Sequence, residues 1–229
     1  MLHVCASAQE QIDRLCDAVC AALRTDLAAD GRALLVVSGG RSPQALFDAL
    51  ATAPLDWSRV TVTLADERVV PADHPDSNAA LVRGHLLRAA AAQARFIPLV
   101  DDAADPQSCA ARATARWRTL AQPPSVVVLG MGEDGHTASL FPGAAELPAA
   151  LDPACPSAYV HITPPAAPHR RISLSLAAIL QARRLLLSIA GQTKRAVFEQ
   201  ASVPPPRAQW PISFLIQQTR VPLDAFWTA

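Results

Sequence analysis

Three short apolar runs, Ala33–Ser38 (ALLVVS), Ser125–Leu129 (SVVVL) and Leu185–Ala190 (LLLSIA), constrain this chain more than any other feature. Each is too short for a helix and lacks polar alternation, which suits a strand covered on both faces. Val60–Leu64, Arg95–Leu99 and Tyr159–Ile162 read as further strands, Arg171–Leu176 alternates, and 212–216 reads as the last strand. Between them lie helical stretches. Ile12, Leu15, Cys16, Val19, Leu23 and Leu27 recur at helical spacing over 8–29, and Asp30-Gly31 closes that helix. Others span 42–50, with Ser42 as N-cap and Pro43 at the first position, then 77–92, 106–120 and 193–201. Strands alternating with helices imply parallel βαβ units. The expectation is an α/β fold: a single domain over 1–229 with a mainly parallel twisted sheet and helices on both faces. Only 142–168, with seven prolines, departs from this rhythm.

Composition narrows the function classes. Among 229 residues, 51% are hydrophobic and 17% charged, which excludes intrinsic disorder. Twenty basic and twenty acidic residues cancel, leaving no excess for nucleic acid or an anionic membrane. No apolar stretch reaches the roughly 18 residues of a membrane span, and residues 1–20 carry no secretory-signal pattern. The five irregularly spaced cysteines (5, 16, 20, 109 and 155) read as reduced core residues of a cytoplasmic protein. No H-E-x-x-H or comparable metal spacing and no G-x-S-x-G elbow is present. His3, His74, His85 and His161 are isolated, and His169 with Arg170 reads as solvent-exposed.

In parallel α/β sheets ligands bind beyond the carboxyl ends of the strands, so the residues after each strand carry the functional reading. The run 33–38 leads into Ser38-Gly39-Gly40-Arg41-Ser42-Pro43, where two glycines permit close backbone approach and a helix start offers free amides to an anion. After 60–64 come Asp66, Glu67 and Arg68, which cost desolvation unless paired or facing a cleft. Asp66 and Arg68 point the same way if strand geometry continues. After 125–129 comes Gly130-Met131-Gly132-Glu133-Asp134-Gly135-His136. It matches G-x-G-x-x-G formally, but the two carboxylates and the early Pro142-Gly143 stop exclude a dinucleotide site. Asp134 and His136 instead offer a carboxylate-oriented imidazole for proton transfer. Finally the chain's single lysine, Lys194, falls in the first turn of a helix, where a cation opposes the dipole and an anionic ligand would compensate it. Arg171 is a second candidate cation.

Taken together, S-G-G-R-S-P at 38–43, D-E-R-x-V-P at 66–71, S-N at 77–78, G-M-G-E-D-G-H-T-A-S-L-F-P-G at 130–143, R-I-S-L-S at 171–175 and G-Q-T-K at 191–194 resemble the glucosamine-6-phosphate isomerase/6-phosphogluconolactonase family. The resemblance spans nearly the whole chain and is closest to the lactonases. It implies a Rossmann-like fold shared with glucosamine-6-phosphate deaminase and ribose-5-phosphate isomerase. It also implies hydrolysis of 6-phospho-D-glucono-1,5-lactone in the oxidative pentose phosphate pathway. On this resemblance His136 is the general base and Asp134 its orienting partner, with Arg68 and Asp66 in the catalytic set. Ser38, Gly39, Gly40, Arg41, Ser42, Gly132, Gly135, Arg171 and Lys194 would bind substrate. A deaminase would carry a glutamate five residues after the histidine, where Phe141 stands, and an aromatic residue in place of Arg68. Position 41 departs from relatives that carry Ser or Thr. The alternatives are a deaminase-like enzyme and a non-catalytic phosphosugar sensor, the latter normally attached to a DNA-binding segment for which no room exists before residue 33. The expected ligand is a small phosphosugar lactone, without metal, cofactor, nucleic acid or membrane. Monomer and homodimer both remain open.

Overall fold

The structure, a computed structural model, describes every residue except Arg41, Asp102, Ala104 and Ala121. Its strands and helices alternate along most of the chain. They run β1 (Leu2–Val4), α1 (Ala8–Asp30), β2 (Ala33–Val37), α2 (Gln44–Ala51), β3 (Val60–Leu64), β4 (Asp66–Arg68), α3 (Asn78–His85), β5 (Arg95–Ile97) and α4 (Pro106–Thr119). There follow β6 (Val126–Gly130), α5 (Leu147–Ala150), β7 (Tyr159–Ile162), β8 (Arg171–Leu174), α6 (Leu176–Ile179), β9 (Leu185–Ala190), α7 (Gln192–Ala201), α8 (Ser213–Ile216) and β10 (Leu223–Thr228).

Seven strands form one sheet in the order β1-β10-β9-β6-β2-β3-β5, and every neighbouring pair in it is parallel. This agrees with the α/β expectation. All five residues of β2 are buried, as an apolar run covered by helices on both faces requires. A smaller antiparallel sheet, β4-β8-β7, packs beside it. The chain leaves β2 towards β3 and β5 on one side, then returns to place β6 on the other. That reversal makes β2/β6 the topological switch point, where diverging connections leave a crevice at the carboxyl ends of the strands.

Local chemistry sets the element boundaries. At the start of α1 the Ser7 hydroxyl accepts from the Glu10 amide (3.1 Å), and the Glu10 carboxylate accepts from the Ala6 amide (2.7 Å). Gly31, in the left-handed region at φ 72°, ends the same helix. Leu15, Val19 and Leu23 of α1 join a contiguous apolar cluster that includes β2, β3, β6 and β9.

Three sequence expectations need correction, and one strand went unread. Residues 212–216 are not the last strand: Pro211 leads into the short helix α8, and the last strand is β10, paired to β9 and β1. A short apolar run does not distinguish the two states. The three-residue β1 carries too little pattern to be seen in sequence. The helix expected over 77–92 ends at His85 and gives way to a 3₁₀ turn at Ala89–Gln93, although Ser77 does cap it. Helix α2 starts at Gln44 with Pro43 as its cap and no side-chain cap bond, so Ser42 is not the N-cap.

Replacing Ser7 by Ala removes one reciprocal cap of α1. We expect a loss of about 1 kcal/mol, read as a lower urea midpoint with an unchanged denaturant slope. An unshifted midpoint would show that the cap contributes nothing.

Candidate active site

A cavity of about 330 Å³ opens at the β2/β6 switch point. Its floor is backbone from two strand ends. Ser38, Gly39 and Gly40 continue from β2, and Gly130, Met131 and Gly132 continue from β6. Both loops depend on glycine. A Cβ on Gly39 would lie 1.9 Å from Asn78 Oδ1, and one on Gly132 would lie 2.2 Å from His136 Nδ1. Asn78 in turn donates from Nδ2 to the Asp66 carbonyl (2.8 Å).

The charged triplet after β3 is itself a strand, β4, paired antiparallel with β8 so that Arg68 faces Arg171. Alternation along β4 turns Asp66 and Arg68 to the cavity and Glu67 away from it. Glu67 Oε1 accepts from the Arg68 and Asn78 amides, and Oε2 from the Ala79 amide, each at 2.7 Å, while the Ser77 hydroxyl adds a fourth bond at 3.2 Å. Burial pushes the Glu67 carboxyl above its ordinary value, and the three amides pull against that shift. Glu67 therefore ties β4 to the start of α3 and fixes where its two neighbours point.

The loop after β6 holds the imidazole. Asp134 Oδ1 lies 2.6 Å from His136 Nδ1 and accepts the His136 amide at 3.1 Å. A proton on Nδ1 makes that contact a hydrogen bond and leaves the Nε2 lone pair available as a base. Burial opposes ionisation of Asp134, but the hydrogen bond and charge of His136 and the local amides outweigh it, holding its carboxyl below the usual value. Phe141 packs on the imidazole with ring centroids 4.4 Å apart. Ser139 donates to Asp66 Oδ2 at 2.6 Å, joining this loop to β4.

Buried polar atoms without partners line the same cavity. Arg171 is only 6% exposed, yet its Nε and Nη1 have no hydrogen-bond partner among the described residues. Burial, and then the neighbouring Arg68 guanidinium, lower its pKa from the ordinary arginine value. The Ser38 hydroxyl is likewise buried without a partner. Lys194, in the first turn of α7, makes no ion pair with a described residue. A buried guanidinium with unpaired donors costs free energy until an anion completes it.

Of the residues singled out from sequence, His136, Arg68, Asp66, Ser38, Gly39, Gly40, Ser42, Gly132, Arg171 and Lys194 line this one cavity. Asp134 stands behind His136 and does not line it. Gly135, expected at the substrate, turns away instead: a Cβ there would meet Trp210 at 2.9 Å, and its carbonyl accepts the Ile212 amide at 3.0 Å. Arg41 lies outside the described residues. Sequence reasoning assigned no role to Gln11, which lines the cavity and donates to the Ile189 and Phe226 carbonyls at 2.8 and 2.7 Å. Its only signal was a polar residue on the buried face of an amphipathic helix.

An α/β protein with an anion-seeking, histidine-bearing cavity at a sheet switch point defines a class of small-metabolite enzyme. The model of the family described as glucosamine-6-phosphate isomerases/6-phosphogluconolactonase matches residues 6–227, and the chain belongs to that family. A 6-phosphogluconolactonase of Pseudomonas aeruginosa is 47% identical over 226 residues, covering 99% of this chain and 94% of its own. The solved 6-phosphogluconolactonase of Shewanella baltica OS155 superposes with a TM-score of 0.96 at 39% identity, covering 100% of this chain and 97% of that one. A solved putative 6-phosphogluconolactonase of Neisseria gonorrhoeae gives 0.94 at 42% identity, with 100% and 99% coverage.

The geometry makes two outcomes measurable. Glu67→Gln places an N–H among backbone N–H donors. We expect a loss of about 1–3 kcal/mol in urea denaturation; unchanged stability would contradict the role of Glu67 as a tie. Asp134 has a depressed pKa, so its stabilisation is present above the unfolded value of 3.8 and is lost as pH falls through the folded one. As pH falls from about 5 to below 3.8, wild type should therefore lose more stability than Asp134→Asn. Parallel curves would contradict the pairing.

Proposed function

We propose that this chain hydrolyses the ring ester of 6-phospho-D-glucono-1,5-lactone to 6-phospho-D-gluconate, the second step of the oxidative pentose phosphate pathway. The observation that carries the reading is one cavity holding both an oriented imidazole, His136 on Asp134, and a buried guanidinium, Arg171, with unpaired donors. The names of the relatives point to the same substrate.

In this reading Ser42, Arg171 and Lys194, with the amides of the Ser38–Gly40 loop, hold the 6-phosphate. Binding energy from this remote group positions C1 beside His136. His136 Nε2 takes a proton from water as the water oxygen adds to C1. Asp134, kept ionised, stabilises the imidazolium. Arg68 and the glycine-loop amides carry the charge of the tetrahedral alkoxide, an arrangement typically worth about 10²–10³-fold in rate. Asp66, held by Ser139, sets the position of that loop against β4. The intermediate collapses by breaking the bond from C1 to the ring oxygen, which leaves with the proton from His136. One water is consumed, and no electrons are transferred. Phe141 packs on the imidazole where a deaminase would need a carboxylate.

The chain acts as a single domain in this account, supported by one contiguous apolar cluster that includes residues from Cys5 to Trp227. A cytoplasmic location suits the five irregularly spaced cysteines of the sequence. Among the described residues no helix is long and apolar enough to cross a membrane.

The test follows hydrolysis of freshly generated lactone against the spontaneous buffer rate. Wild type should exceed the blank, and His136→Ala should lose about 10²–10⁴-fold in kcat while still binding 6-phosphogluconate. A wild-type rate equal to the blank, with the phosphosugar still bound, would replace the enzyme by a sensor.

A further inference from the structure

A second cluster of titratable groups lies at the rim of the cavity and takes no part in this chemistry. His74 and Asp76 precede α3, and His169, 93 positions after Asp76, precedes β8. One ligand atom from each residue lies within 4.8 Å of the other two. Nitrogens of both imidazoles lie near the same carboxylate oxygen. Asp76 Oδ2 is 3.0 Å from His169 Nε2 and 3.8 Å from His74 Nδ1. Donors bound about 2.0–2.1 Å from a tetrahedral zinc ion stand about 3.3 Å apart, so these separations need only small shifts. The two rings meet edge to face, with centroids 5.4 Å apart. His74 Nδ1 accepts a hydrogen bond from the Asp76 amide at 3.0 Å, so an ion bound at this nitrogen takes over that lone pair and displaces the amide.

We propose that His74, Asp76 and His169 bind one divalent transition-metal ion, zinc in type, which clamps the segment before α3 to the segment before β8 at the cavity rim. Two imidazole nitrogens and one carboxylate oxygen select a borderline ion over calcium or magnesium, which prefer sets made only of oxygen. A surface ion pair would need only His169 on the carboxylate; a second imidazole nitrogen held within 4.8 Å of both partners is what distinguishes this arrangement. The site is coupled to the cavity through its backbone. The Asp76 carbonyl accepts from Arg68 Nη1 at 2.7 Å, and the Val69 amide donates to the Arg170 carbonyl at 2.8 Å. Ala167, two residues before His169, lines the cavity itself. An ion here fixes the loops that frame Arg68 and adds positive charge near the path of an anionic substrate.

The experiment titrates zinc into the full-length chain against a chromophoric chelator. One equivalent should bind, with affinity lowered at least about tenfold in His74→Ala and in His169→Ala. Zinc should raise the Tm of wild type and leave that of His169→Ala unmoved. Cobalt reports the donor set, and the site predicts d–d bands without a thiolate charge-transfer band. Lactone hydrolysis by both metal-free variants, at the rate of metal-free wild type, shows that they remain folded. Absence of binding, undiminished affinity in both histidine variants, or a thiolate band placing the ion on the cysteines would each overturn the proposal.

Discussion

The rest of the molecule depends on the reversal of chain direction between β2 and β6. With every strand of the main sheet parallel, backbone groups at the strand ends have no neighbouring strand to continue into. Where connections diverge, those ends face a crevice rather than a covering helix. Here the crevice receives two glycine loops whose close contacts, to Asn78 and to the His136 imidazole, exclude any side chain. The fold thus brings two glycine loops to one cavity at the sheet switch point.

Around that crevice the protein holds polar groups in states that are incomplete alone. Arg171 is buried with unpaired donors, the Ser38 hydroxyl is orphaned, and Lys194 sits against the unfavourable end of a helix dipole. Each cost would be met by the same kind of ligand, an anion. Their positions are held by contacts that are complete. Glu67 gathers four donors and fixes β4, and Ser139 links Asp66 to the histidine loop. A satisfied inner network supporting an unsatisfied lining is what a preorganised binding site requires.

The sequence showed what short-range patterns carry. Buried runs such as ALLVVS located central strands, glycines located strand-end loops, and the position of Lys194 on α7 singled out a cation that lines the cavity. It hid what depends on distant partners. β1 exists because β10 lies beside it, and β4 because β8 pairs with it. Residues 212–216 were apolar enough for either state, and packing chose the helix. Glu67 looked like one charge among three until its four donors were in place. Gly135 belongs to the right motif, yet its contact with Trp210 is invisible from 75 positions away. His74 and His169 looked isolated for the same reason.

The central claim is that the unpaired cations hold a phosphate remote from the ester carbon that the water activated by His136 attacks. The direct measurement compares kcat/KM for 6-phospho-D-glucono-1,5-lactone and for D-glucono-1,5-lactone in wild type and Lys194→Ala. The account predicts that the variant loses roughly ten- to hundredfold on the phosphorylated lactone, the worth of a charged hydrogen bond, and nothing on the unphosphorylated one. Equal losses on both substrates would contradict it, because Lys194 would then act at the reacting carbonyl or in the fold rather than on the phosphate.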